Sequence, residues 1–202
     1  MNGPVVNGPV AGVVVPIRAF SAGKARLAPD LDDSDRADLV RTMAERVVEA
    51  AGTLPLVVVS GAPEVRDWAA RLGLTVLDDP GSLDAAAAAG VAWCAARSLR
   101  RAVIAHADLP LAGSLAPLAR DAARPIVALV PCHRDDGTTV LSVPVEAGFR
   151  FRYGRGSFRR HGFEARRLGL GVRVVRDPTL AFDIDLRSDL EQLRAASVPA
   201  RP

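Results

Sequence analysis

The sequence predicts an α/β fold built on a mostly parallel sheet with helices on both faces. Three observations carry this. Short apolar runs of strand length, such as Leu56-Val57-Val58-Val59 and Ile126-Val127-Ala128-Leu129-Val130, are apolar at every position, as strands buried on both faces are. Segments with apolar residues at helical spacing separate them. One apolar run, Val140 to Val143, follows only a loop, so a single antiparallel excursion makes the sheet mixed.

Residues 1–12 repeat themselves, with Asn2-Gly3-Pro4-Val5 followed by Asn7-Gly8-Pro9-Val10, and are expected to form a flexible tail. The first strand is then Val13 to Ile17, leading into a polar loop from Arg18 to Ala28. A helix starting at Ser34 is predicted by Leu39, Val40, Met43, Val47 and Val48, which fall on one helical face. After the strand at Leu56 to Val59, Pro63 opens a helix at its first turn and Gly73 stops it. A short strand at Thr75 to Leu77, an alanine-rich helix from Asp84 to Arg97 and a strand at Ala102 to Ala105 follow. A proline-containing helix around Ser114 to Ala123 leads into the strand at Ile126 to Val130. Beyond the excursion at Val140 come a helix beginning near Ser157, a strand at Val172 to Val175 and an extended segment from Ala181 to Asp185. The last helix is predicted to open on a capping box, Ser188 to Glu191. Residues 13–196 thus read as one domain, and 197–202 as a short C-terminal tail.

Composition excludes several classes. Cys94 and Cys132 lie far apart and neither belongs to a Cys-x-x-Cys pair, which argues against a zinc ribbon, a disulfide scaffold and a thioredoxin-type dithiol. No apolar run reaches the roughly 18 residues of a membrane span, and the N-terminus lacks a signal peptide's basic start and apolar middle. No membrane association and a cytoplasmic location are the expectations.

Of 26 basic residues 25 are arginine, with Lys24 the only lysine, which reads as the codon bias of a GC-rich genome. The one charge-biased stretch, Arg150 to Arg176, sets nine arginines against Glu164 and would attract phosphate. An arginine-rich nucleic-acid-binding module is the rival from a different class. The 4% aromatic content and the lack of a helix-turn-helix or RNP-like signature weigh against it.

The common nucleotide fingerprints fail: Gly23-Lys24 lacks the rest of a P-loop, and Gly154-x-Gly156 lacks the third glycine of a dinucleotide turn. What remains is carboxylates at strand ends, where ligands sit in such folds. Asp108 follows the strand ending at Ala105. In Phe182-Asp183-Ile184-Asp185 an extended backbone sends Asp183 and Asp185 to the same side, and oxygen-only ligation suits magnesium or manganese. The alternative is that Asp185 is only a turn residue before the last helix. Lys24, in the loop after the first strand, is either a surface lysine or a compact phosphate contact. Ser157 has the position of a helix N-cap and is either simply a cap or, with Arg155, Arg159 and Arg160 around it tilting the balance, part of an anion site formed by the exposed N–H groups of the helix start. His106 precedes Asp108 by two and could share its face, but such a histidine is more often a packed, hydrogen-bonded core residue, and it is given no role.

Taken in order, Val15-Pro16-Ile17-Arg18, Gly23-Lys24-Ala25-Arg26-Leu27, Asp79-Pro80-Gly81, Asp108-Leu109-Pro110-Leu111, Asp136-Gly137-Thr138-Thr139, Gly154-x-Gly156-Ser157 and Phe182-Asp183-Ile184-Asp185 resemble the 2-phospho-L-lactate guanylyltransferase family. Its actinobacterial branch is called phosphoenolpyruvate guanylyltransferase. The match runs from about residue 13 to 195, and its specificity lies in the order of the pieces.

The resemblance implies a GT-A-like nucleotidyltransferase fold and a step of coenzyme F-420 biosynthesis. In that step GTP and a phosphorylated three-carbon acid give a guanosine diphospho-linked acid and pyrophosphate. It further implies that Asp108, Asp183 and Asp185 hold magnesium, or alternatively manganese, and that Asp108 and Lys24 are catalytic. Thr139, Gly154 and Ser157 would grip the acceptor, and Lys24, Asp79, Pro80 and Gly81 would hold GTP. Where the pattern leads us to expect Gly-Leu-Asn, this chain has Ser82-Leu83-Asp84, so no nucleotide contact is carried onto Asp84. Phosphoenolpyruvate is the expected acceptor, with 2-phospho-L-lactate or a related transfer on the same fold as alternatives. A downstream transferase that receives the unstable product is an implied partner. Oligomeric state is not legible, and a homodimer is compatible with the sequence.

Overall fold

The computed structural model describes residues 10–120 and 125–197. Among these residues seven strands, β1 (Ala11–Pro16), β2 (Leu56–Val59), β3 (Thr75–Leu77), β4 (Arg101–Ala105), β5 (Ile126–Pro131), β6 (Thr138–Pro144) and β7 (Gly171–Val174), form one sheet in the order β3-β2-β1-β4-β6-β5-β7. All neighbours are parallel except β6, which runs antiparallel to both β4 and β5. The mixed α/β sheet of the sequence reading is what forms, with its single reversed strand where the helix is missing.

Among the described residues seven α-helices cover it: α1 (Asp33–Ala51), α2 (Pro63–Arg71), α3 (Leu83–Ala96), α4 (Ala116–Ala119), α5 (Ser157–Arg167), α6 (Pro178–Ala181) and α7 (Arg187–Ser197). The period-2 alternation of strand side chains divides the core. Val13 and Val15 face one layer with Met43 and Val47 of α1 and Trp68 of α2, whereas Val14 faces the other with Ala86, Ala87 and Trp93 of α3.

The α3 layer lies against β1 because position 90 carries no side chain. A Cβ on Gly90 would come 2.2 Å from Val14 Cγ1, so even a methyl group forces the helix away from the sheet. Over-packing of this kind costs about 1–3 kcal/mol. We expect Gly90→Ala to lower the urea-unfolding free energy by about 2 kcal/mol. A loss below about 0.5 kcal/mol, the range of ordinary surface substitutions, would mean that α3 shifts freely.

Four boundaries differ from expectation. The first strand takes in Ala11 and Gly12, since the parallel ladder to β4 begins at Ala11, two residues before the one to β2; the rest of the expected tail, up to residue 9, lies outside the described residues. Only one helical turn forms in the stretch expected to be helical from Ser114, and residues 121–124 lie outside the described residues. The Ala181–Asp185 segment is no sheet strand: Asp177 caps the short α6, after which the chain runs extended, its Ile184 N–H donating to Asp108 O at 3.4 Å. The capping box at Ser188 does not form. Helix α7 begins at Arg187, and the Asp189 carboxylate accepts from the N–H groups of Asp185 and Leu186, both at 2.8 Å. Residues 198–202 of the expected tail are outside the described residues. No helix among the described residues is long and apolar enough to cross a membrane.

Candidate active site

The carboxyl ends of β1, β3, β4 and β5 open onto two adjoining cavities, as the crossover topology requires. The first, about 410 Å³, is lined by Lys24, Asp79, Gly81 and Asp108 among others. The second, about 650 Å³, is lined by Asp108, Asp183 and Asp185, by Thr138, Gly154 and Ser157, and by Arg26, Arg134 and Arg155. Leu83, His106 and Asp108 belong to both. Three aspartates from two distant stretches of sequence therefore meet at one floor.

Lys24 stands among them rather than free in a phosphate loop. Its backbone is left-handed, at φ 55° and ψ 40°, a conformation that costs a non-glycine residue about 1–2 kcal/mol. From there the ammonium reaches Asp108 Oδ2 at 2.5 Å and Asp185 Oδ1 at 3.0 Å, with only 10% of the side chain exposed. Burial alone would lower the lysine's pKa, but the two carboxylates outweigh it and the net shift is upward. Burial likewise pushes Asp108 up, yet the Lys24 and His106 charges leave it below the ordinary range. Asp183 goes the other way. Burial, and then the charges of Asp108 and Asp185, raise it despite His133.

As their side chains stand, no group of three His, Cys, Asp or Glu among the described residues is arranged to hold a metal ion, and the ammonium bridges the carboxylates instead. The donor set nevertheless fits a hard cation. Asp108 Oδ1 and Asp183 Oδ1 are buried oxygens with no hydrogen-bond donor, although His133 Nδ1 lies 3.0 Å from the latter without hydrogen-bond alignment. A buried carboxylate oxygen left unpaired is costly, and a cation is the partner that satisfies it.

Of the expected nucleotide residues, Asp79 accepts from the N–H of Gly81 at 2.9 Å, which turns the loop toward Lys24; Gly81, at φ 95°, suits that turn. Pro80 is exposed and does not line the cavity. Asp84 accepts from the Tyr153 N–H at 2.7 Å and so ties α3 to the loop before α5.

Of the expected acceptor residues Gly154 and Ser157 line the second cavity but Thr139 does not. Its hydroxyl donates to Val130 O at 3.3 Å, inside the sheet, and the neighbouring Thr138 takes the lining position because successive strand residues face opposite ways. Ser157 is not an N-cap. Gly156, at φ 74°, holds that place. Nor are the donors of the helix start free for an anion: Gly156 N–H donates to Asp136 Oδ1, Phe158 N–H to Asp136 O and Ser157 N–H to Gly154 O. What Ser157 offers is its hydroxyl, 3.4 Å from that of Thr138. Of the nine arginines in the cationic stretch, Arg155 lines the cavity, while Arg160 is committed to the carbonyls of Arg152 and Tyr153.

Sequence reasoning missed four groups. His106, read as core, lines both cavities with a buried, unpartnered Nε2. His133 and Arg134 flank Asp183 and Asp189 from the β5–β6 turn, Arg134 reaching Asp189 Oδ1 at 2.5 Å. Thr138 was visible only as part of a resembling segment, and no spacing pointed to it.

The model of the family described as "Guanylyl transferase CofC like" matches residues 11–195. The phosphoenolpyruvate guanylyltransferase of Sphaerobacter thermophilus is 34% identical over 187 residues, covering 89% of this chain and 90% of that one. The 2-phospho-L-lactate guanylyltransferase of Methanothermobacter thermautotrophicus is 29% identical over 189 residues, covering 89% and 82%. Among solved structures, a Desulfovibrio desulfuricans protein assigned as a nucleotide-diphospho-sugar transferase superposes with a TM-score of 0.78 at 16% identity, over 96% of this chain and 90% of that one. That likeness carries the fold, which is nucleotide-diphospho-sugar transferase-like, as the sequence led us to expect.

Proposed function

The chain belongs to the family of CofC-like guanylyl transferases, and from this premise we propose that it transfers GMP from GTP to phosphoenolpyruvate. An oxygen of the acceptor's phosphate bonds to the α-phosphorus, the bond from that phosphorus to the β-phosphate oxygen breaks, and pyrophosphate leaves. The product is enolpyruvyl-diphospho-5′-guanosine, and the step belongs to coenzyme F-420 biosynthesis. The observation that carries the reading is the shared floor: Asp108 and Lys24 lie where a cavity holding Asp79 and Gly81 meets one holding Thr138, Gly154 and Ser157.

Both reactants are anions, and each pair of like charges ~4 Å apart costs about 4 kcal/mol at an effective dielectric near 20. Neutralisation is therefore the main task. Asp108, Asp183 and Asp185 would hold a magnesium ion, which supplies positive charge against the α-phosphate and the departing pyrophosphate. Lys24 adds an ammonium on the nucleotide side, and Arg134 and Arg155 balance the acceptor. The acceptor phosphate is already deprotonated at neutral pH, so no side chain has to act as general base.

Parallel assays of pyrophosphate release from GTP and magnesium, with phosphoenolpyruvate and with 2-phospho-L-lactate, test the reading. Release with phosphoenolpyruvate is expected. Preference for the lactate would move the assignment to the second acid, and release with neither would overturn it. Ser157→Ala is expected to raise the acceptor KM about 10-fold, the worth of one hydrogen bond to a charged group, with the GTP KM within twofold. Equal changes in both constants would take Ser157 out of the acceptor pocket.

A further inference from the structure

The wall of the second cavity contains a proton arrangement that the reaction itself does not require. His161, on α5, is fully buried, boxed by the rings of Tyr153, Phe149 and Phe151 at centroid distances of 4.8, 5.8 and 6.5 Å. Both ring nitrogens are engaged. Nε2 accepts from the Arg152 backbone N–H at 3.0 Å, so in the neutral ring that nitrogen bears no proton. The ring proton is therefore on Nδ1, which lies 3.0 Å from Thr138 Oγ1 and must donate to it. Burial pushes the imidazole's pKa down to about 4, so the ring is neutral at physiological pH.

The consequence is a count of hydroxyl protons. Thr138 and Ser157 are each 1% exposed, and their hydroxyls are 3.4 Å apart. Two hydroxyls joined by one hydrogen bond leave one O–H over. Because His161 donates to Thr138 rather than accepting from it, the spare proton has no acceptor among the described residues. Either way round, it belongs to a hydroxyl that lines the cavity. The opposite imidazole tautomer would withdraw that proton and turn a lone pair toward the ligand. The tautomer of one buried ring thus sets whether this wall attracts an anion or repels it.

We infer that His161 is a positioning residue: held by the Arg152 backbone N–H, it fixes the Thr138–Ser157 pair as a hydrogen-bond donor to an anionic oxygen of the phosphorylated acid. The inference rests on the reading that this cavity takes the acceptor. His161 touches no substrate itself, and Arg134 and Arg155 on the same cavity provide charge without setting hydroxyl direction.

A double-mutant cycle on the full-length protein tests it. Thr138→Val keeps the shape and removes the hydroxyl. His161→Gln lets an amide oxygen replace Nε2 toward Arg152 but removes the Nδ1 donor, whereas His161→Asn places an amide N–H near the Nδ1 position. We expect Thr138→Val and His161→Gln each to raise the phosphoenolpyruvate KM about 10-fold or more, with the GTP KM within twofold. The double variant should be no worse than the poorer single, and His161→Asn should recover most of the loss. Additive effects, equal shifts in both KM values, or a normal acceptor KM in Thr138→Val would each overturn the inference.

Calorimetric titration of phosphoenolpyruvate into wild type and Thr138→Val keeps the test open if the histidine variants fold poorly. Tenfold weaker binding to Thr138→Val without any turnover by wild type would fail the transfer reading and uphold the donor pair through which His161 is inferred to act. Equal binding by the two proteins, or no binding by wild type, would overturn the positioning role.

Discussion

Asp183→Asn should abolish pyrophosphate release, by about a thousandfold or more, while leaving the protein as stable as before or more stable. The two halves have one cause. Asp183 is a largely buried carboxylate whose pKa is raised by burial and by the nearby charges of Asp108 and Asp185, so its ionised form is held against the preference of the fold. One of its oxygens lacks any hydrogen-bond donor. An isosteric amide removes the repelled charge and a cation-binding oxygen together. Losing several kcal/mol of transition-state charge stabilisation corresponds to the predicted factor of about 10³.

The sign of the stability effect has its own pH signature. A carboxyl with a raised folded-state pKa stabilises the fold below its unfolded pKa and loses that contribution as pH rises through the folded value. The gain from Asp183→Asn should therefore be full at neutral pH and vanish below the ordinary carboxylate range. A coupled pyrophosphate assay and thermal melts at two pH values check both halves. Turnover within tenfold of wild type would remove Asp183 from the catalytic floor, and a markedly lower melting point at neutral pH would make its role structural.

Lys24→Met should do the opposite to stability and the same to activity. Methionine keeps the stem and meets the same left-handed backbone, so the strain at φ 55° cancels in the comparison. What is lost is the ammonium between Asp108 and Asp185, leaving three carboxylates around the floor with no lysine partner. Breaking a fully buried ion pair costs about 3–5 kcal/mol; with the Asp185 side chain 45% exposed, about 2 kcal/mol is the reasonable expectation. Turnover should fall about 100-fold from loss of one charge-stabilising contact. The stability deficit should be largest in EDTA and shrink on adding magnesium, because a cation relieves the same repulsion. Equal melting points for wild type and Lys24→Met in EDTA would show that the ion pair contributes nothing to the fold.

The fold was legible because β1, β2, β4 and β5 are apolar on both faces, and only a covered, mostly parallel sheet accommodates such strands. The candidate site was legible to the level of carboxylates sharing one cavity: Asp183 and Asp185 flank Ile184, and both line the cavity that Asp108 lines. What stayed hidden was pairing across long separations. Nothing local to Lys24 says that its ammonium will meet residues 84 and 161 positions away. Choosing Thr138 over Thr139 depends on strand register, and a one-residue change of register reverses every side chain. Asp136, which closes the start of α5 from 20 residues upstream, left Ser157 looking like a cap that it is not.

The partition made by Leu83, His106 and Asp108 is shared, not owned, by the two chambers. On the proposed reaction each reactant occupies one chamber, while the joined dinucleotide-like molecule straddles both and is retained by the grip of each half at once. Two weak anchorages on one tether hold far longer than either alone. Departure of that molecule, rather than bond making, then becomes the natural bottleneck of the cycle.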